Sequence, residues 1–114
     1  MDVLIRTRAI EVTEELEQLV SKRLELALDI FKERAESASV YIADLNGPRR
    51  GIDKICQITV RLRGIGDVVV LEKSSTVESA LTRAAGRMKY RVSETIRRAV
   101  RPATESIRRS EASL

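Results

Sequence analysis

The run KICQITVRLR, residues 54–63, alternates without a break: Cys56, Ile58, Val60 and Leu62 fall on one side, Gln57, Thr59, Arg61 and Arg63 on the other. Strand side chains point to opposite faces at a period of two, so this run is a half-buried strand whose apolar face has to be covered. The two longest apolar patterns in the chain have the other period. Val12, Leu16, Leu19, Val20, Leu24, Ala27, Leu28 and Phe31 recur at steps of three and four, and so do Val77, Leu81, Ala84, Ala85, Met88, Val92, Ile96 and Ala99. Each set forms one stripe along a helix, suited to lie on a sheet.

The spacing predicts a first helix over 13–34, with Thr13 as its cap and Glu14, Glu15 and Glu17 at the positive end of its dipole. A second helix runs from the cap offered by Ser74, Ser75 and Thr76 to about Arg101, and Pro102 ends it. Further strands are predicted at Val3–Thr7, Ser39–Leu45 and Asp67–Lys73. Asn46, Gly47, Pro48 and Gly51 supply one turn, and Gly64 and Gly66 the next. Three consecutive strands with short connections form an antiparallel meander. The order is therefore βαβββα, an α+β fold in which a four-stranded sheet carries both helices on one face and leaves the other at least partly wet. Residues 1–101 make one domain, and 102–114 has too few apolar residues to pack and is expected to be a disordered tail. A domain of this size folds around one core without disulfides or a structural metal.

Composition removes several classes of function. The chain has no histidine and one cysteine, so the usual general base is missing and no Cys/His cluster is available for zinc. Cys56 lies in the apolar register of its strand and reads as core. The glycines of GIG lack the third glycine and the following helix of a dinucleotide site. Tyr90, Lys89 and Glu94 suggest neither a pocket nor a base. We therefore expect no catalytic residue, no cofactor, no metal and no small-molecule substrate. The start of the chain does not resemble a signal peptide, and no 20-residue apolar span occurs, so the expected setting is the cytoplasm, with no membrane partner.

The charge points elsewhere. Net charge is +4, but residues 1–53 carry 8 basic and 11 acidic side chains while residues 54–114 carry 13 and 6. Positive charge concentrated in one half of a chain attracts polyanions. Aromatic residues, at 3%, are too few for base stacking across a sheet. At 100° per residue, Arg83, Arg87, Arg91, Arg98 and Arg101 share one flank of the second helix, with Tyr90 among them and Glu94 interrupting the row. Guanidinium forks bridge phosphate oxygens and stay charged at any cellular pH. The plainer alternative is a solvated flank on which Arg91 pairs with Glu94. The first helix mixes Glu14, Glu17, Lys22, Glu25, Asp29 and Lys32 on its polar face and offers no continuous phosphate track. Lys22 and Arg23 stand out there, and Arg23 borders the apolar arc, from which its head can snorkel toward the second helix. In the turn, Arg49 and Arg50 are not required by turn geometry and form a second candidate phosphate contact.

This order of elements, together with IEVTEELEQLVSKRLELA in the first helix and SSTVESALTRAAGRMKYRV in the second, resembles the HPF/RaiA family of ribosome hibernation and stasis factors over Met1 to about Arg101. The resemblance implies a fold like a double-stranded-RNA-binding domain. It also implies a site on small-subunit rRNA, in the channel for mRNA and tRNA, where the protein inhibits translation sterically and not as an enzyme. The basic positions of the family fall on Lys22 and Arg23 in the first helix and on Arg87, Arg91, Arg97 and Arg98 in the second. The chain departs from the pattern at Glu25 and Leu26, where another basic residue is usual, and at Glu94, where lysine is frequent. It resembles a short form, without the C-terminal dimerising domain of long members. The leading expectation is a ribosome-bound stasis factor that holds rRNA through Lys22, Arg23, Arg49, Arg50, Arg83, Arg87, Arg91, Arg97 and Arg98. The alternatives are a protein-interaction module that docks through its open sheet face or hairpin, and a general RNA chaperone.

Overall fold

The computed structural model describes residues 1–45 and 53–100. Its elements are β1 (Asp2–Arg8), α1 (Glu14–Leu28), β2 (Ala35–Asp44), β3 (Lys54–Leu62), β4 (Gly66–Ser74) and α2 (Val77–Ala99), the βαβββα order of an α+β fold. The four strands form one sheet in the order β1-β2-β3-β4. β2, β3 and β4 are the antiparallel meander read from the sequence. β1 runs parallel to β2, with Asp2 opposite Ser37 and Arg8 opposite Ala43. A parallel neighbour has to be reached by a crossover, and α1 is that crossover.

The period-two and period-3.6 stripes meet in a single core. Val40 and Ile42 of β2, Cys56, Ile58 and Val60 of β3, and Val68 and Val70 of β4 are buried against Leu16, Val20, Leu24 and Leu28 of α1 and Leu81, Met88 and Val92 of α2. Ala80, Ala84 and Ala85 are buried too, small side chains that let the backbone of α2 lie close to its neighbours. Both helices are capped as expected: the Thr13 hydroxyl accepts from the Leu16 amide and the Thr76 hydroxyl from the Ser79 amide, each at 3.1 Å. Burial also pushes the Cys56 thiol up to about 12, since a thiolate has no solvation in the core.

Among the described residues, no element forms a layer over the opposite sheet face. Its rows read Leu4, Ser39, Thr59, Val69 and then Arg6, Tyr41, Gln57, Leu71, with hydroxyl and amide groups in the middle and, toward the edges, Leu4, Val69 and Leu71 together with Arg6. Two turns carry positive φ. Gly64, at 75°, sits in the β3–β4 turn where glycine has no Cβ to clash, whereas Ala9, at 59°, takes the same region with a Cβ after β1.

Two boundaries, the end of α1 and the start of β2, differ from the sequence expectation. α1 ends at Leu28, not at 34, because Leu28 leaves helical geometry at φ −114° and ψ 1°, and Asp29–Phe31 forms a single 3₁₀ turn. β2 then starts at Ala35, four residues before the predicted Ser39. Residues 35–38, AESA, have weak strand propensity. They are made a strand by pairing, with Ser37 between Asp2 on one side and Arg61 on the other. Arg63 reinforces this corner: its amide bonds the Arg34 carbonyl at 2.8 Å, and its guanidinium donates to the Glu33 carbonyl.

Candidate nucleic-acid interface

Positive charge on β3 is largely absorbed by the fold. Lys54 Nζ lies 2.9 Å from Asp53 and 3.4 Å from Asp44. Asp53 is buried, and the hydrogen bond from Lys54 to it is the largest influence on the ammonium; it outweighs the opposing desolvation and, with the field of Asp44 added, holds the group above its ordinary pKa. Arg61 pairs with Asp67 at 3.4 Å on the open sheet face, and Arg63 is spent on the Glu33 carbonyl. Of the basic residues crowded between 44 and 64, those described here are structural. Arg49 and Arg50 lie outside the described residues, as do Arg101 and the whole of 102–114.

On α2 the spacing 83, 87, 91, 98 puts four arginines on one flank, and the structure shows what that flank adjoins. Arg87 Nη1 donates to the Leu71 carbonyl and to Glu72 Oε1, both at 3.1 Å, so the flank runs along β4. Arg83, Arg91 and Arg98 are exposed, and none has an ion-pair partner among the described residues. At 1.5 Å per residue, Arg83 and Arg98 stand roughly 22 Å apart along the axis. Arg98 and Arg97 also occupy the last turn, where the negative end of the helix dipole suits cations.

Glu94 does not pair with Arg91, as the plainer reading of the sequence had it. It takes Arg97 instead, whose Nη2 lies 2.7 Å from both of its carboxylate oxygens. The i+3 partner on the C-terminal side wins, which leaves Arg91 open and draws Arg97, on the crest of the helix, toward the flank.

Lys22 and Arg23 reach the same helical layer from the other side. Arg23 extends toward α2, as its place at the margin of the apolar arc suggested, and its Nη2 is 3.9 Å from Glu78. Glu78 lies across α2 from the arginine flank, so the α1 pair and the α2 row are separated by the exposed crest with Tyr90 and Arg97. Arg23 Nε is buried without a hydrogen-bond partner, so part of this side chain serves packing. Lys22 is exposed and unpaired among the described residues. Among the described residues the candidate interface thus has a set without ion-pair partners (Lys22, Arg83, Arg91 and Arg98) and a set beside the chain's own carboxylates (Arg23, Arg87 and Arg97). Sequence spacing located the flank; it had no signal for Glu72, which reaches Arg87 from β4. Among the other polar residues considered, Tyr90 and Lys89 are exposed on α2 and Glu94 is occupied by Arg97. Among the described residues, no helix is long and apolar enough to cross a membrane.

Comparison with known proteins supplies the context. The family described as sigma 54 modulation protein / S30EA ribosomal protein matches residues 3–100. Among solved structures, the N-terminal domain of Protein Y from Thermus thermophilus is similar at 24% identity and a TM-score of 0.67, over 81% of this chain and 96% of that one. A ribosomal subunit interface protein from Coxiella burnetii is similar at 13% identity and a TM-score of 0.69, over 82% of this chain and 96% of its own. No curated protein matches.

Proposed function

The chain belongs to the sigma 54 modulation protein / S30EA ribosomal protein family, the group its HPF/RaiA-like sequence pointed to, and on that basis we propose that it is a cytoplasmic ribosome-associated stasis factor. It binds small-subunit rRNA in the channel for mRNA and tRNA and blocks translation by occupying that space. The observation that carries the RNA side of this reading is the α2 flank, where Arg83, Arg91 and Arg98 are exposed with no carboxylate partner among the described residues. Lys22, Arg23, Arg87 and Arg97 extend the phosphate contacts, and Arg49 and Arg50 are proposed as a further contact from the β2–β3 connection. An arginine row of this kind reads backbone and shape, which matches a chain with 3% aromatic residues. If about four to six phosphates are neutralised, the log-log salt slope of binding is about −3 to −5. The test is co-sedimentation with purified small subunits. The wild-type chain pellets with them, and Arg83→Glu/Arg91→Glu stays in the supernatant with an unchanged melting temperature. Equal pelleting of the two proteins refutes the assignment of this face.

A protein partner is the second reading, favoured by the open sheet face. Leu4, Val69 and Leu71 are 57%, 47% and 44% exposed there, with no element packed over them among the described residues. Nuclease treatment of the extract separates the two: it releases a chain held by RNA and spares one held by protein.

A further inference from the structure

Two arginines of the proposed RNA face are already occupied by anions of the same chain, in one geometry. Glu72 and Glu94 are tucked in, with side chains 23% and 22% exposed, while Arg87 and Arg97 over them are 51% and 75% exposed. Arg87 shares Nη1 between Glu72 and the Leu71 carbonyl, and Arg97 places Nη2 between both oxygens of Glu94. Arg23 differs: at 3.9 Å from a Glu78 that is 69% exposed, it is beyond hydrogen-bond distance of that carboxylate. A phosphate arriving from solvent therefore meets the guanidinium of Arg87 or Arg97 with a carboxylate lodged beside it. It displaces that carboxylate or binds next to a like charge.

We infer that Glu72 and Glu94 are built-in competitors of RNA phosphate. They hold Arg87 and Arg97 in the free protein and set the affinity of the face below what its arginine content allows. The inference rests on the RNA reading given above and deepens it. Only phosphates well placed to take over both forks recruit these two arginines, whereas Arg83, Arg91 and Arg98 are open to any polyanion. A factor that blocks a channel also has to leave it, and a carboxylate ready to recapture each guanidinium favours departure. Affinity differences among variants of one interface lie mainly in dissociation, so the competition is read there.

The test uses the full chain, purified small ribosomal subunits and a series of salt concentrations. Glu72→Gln and Glu94→Gln keep the shape and an accepting oxygen but remove the charge, and melting temperature is recorded as a check on folding. Each substitution is expected to tighten binding about two- to fivefold, the range an exposed ion pair can shift an equilibrium. The tightening appears as slower dissociation. The salt slope steepens by about one for each arginine released. Arg83→Glu/Arg91→Glu is run alongside. If that variant loses binding while both glutamine variants match wild type in affinity and slope, the competitor role is overturned and the RNA reading stands. If Glu72→Gln or Glu94→Gln binds more weakly, the carboxylate positions its arginine instead, which also overturns the role. If wild type does not bind the subunits, or Arg83→Glu/Arg91→Glu binds as well as wild type, the RNA reading itself fails and the inference falls with it.

Discussion

Leu24 of α1 and Leu81 of α2 are both fully buried under the same sheet, yet the residues turned outward around them carry opposite charge. Between Glu14 and Leu28 the first helix carries Glu14, Glu15, Glu17 and Glu25 against Lys22 and Arg23. Between Val77 and Ala99 the second carries Arg83, Arg87, Lys89, Arg91, Arg97 and Arg98 against Glu78 and Glu94. The sheet accepts both helices on the strength of their apolar stripes alone, so the outer faces are free to differ without cost to the fold. The charge that distinguishes α2 is therefore not a requirement of its apolar packing. A second distinction runs within α2, between arginines that face solvent and arginines that are held at home.

The most forceful test of that equivalence removes a buried leucine from each helix. Leu24→Ala and Leu81→Ala each cost about 3 kcal/mol, from lost burial and an unfilled cavity, and lower the melting temperature by roughly 10 °C or more. Thermal denaturation of the two variants side by side checks this. A loss confined to one helix would show that the core leans on that helix, and the surface comparison would lose its common footing. Next in size is charge reversal read by subunit binding. Arg91→Glu on α2 weakens binding about tenfold, while Lys22→Glu on α1 weakens it less than about threefold, since Lys22 stands across the α2 crest from the arginine row. Equal effects would make the two clusters one continuous surface.

The same two helices show what was legible in the sequence. Both caps, the arginine flank and both stripes, except Val12 and Ala99 at their ends, which are exposed, followed from the sequence pattern, because a helix face is a local property of residues three and four apart. The end of α1 did not. Phe31 continued the 3.6-residue pattern, but the return to a strand parallel with β1 breaks the helix at Leu28, a demand set by residues at the far end of β1 and along β3. The candidate site divides the same way. Positions on the flank were legible, whereas the occupancy of Arg87 by Glu72, fifteen residues earlier, depends on how β4 lies beside α2. Lys54 shows the same dependence on pairing: the β2–β3 register sets Asp44 opposite it, beside the buried Asp53.

Helix caps give a smaller and more even effect. Thr13→Ala and Thr76→Ala each leave a first-turn amide without its side-chain acceptor, and each costs about 1 kcal/mol. Urea titration measures both. The comparison sharpens if α1, the shorter helix and the one that forms the parallel crossover, unfolds at lower denaturant after losing its cap than α2 does.

The smallest expected effect separates the two kinds of arginine on α2. Arg87 hydrogen-bonds a backbone carbonyl and a partly covered carboxylate of β4, so Arg87→Ala removes contacts the folded chain makes for itself. The side chain is 51% exposed, and solvent screening holds the loss to about 0.5 kcal/mol. Arg91, exposed and without an ion-pair partner among the described residues, contributes nothing of that kind, so Arg91→Ala leaves stability within about 0.3 kcal/mol of wild type. In subunit binding the order inverts: Arg91→Ala loses a cation open to phosphate, while Arg87→Ala loses one already shared with Glu72. A stability difference in one direction and a binding difference in the other, measured on the same two proteins, distinguishes an arginine that serves the fold from one held for a partner. If both assays rank the two variants the same way, occupancy by Glu72 has no bearing on what Arg87 does.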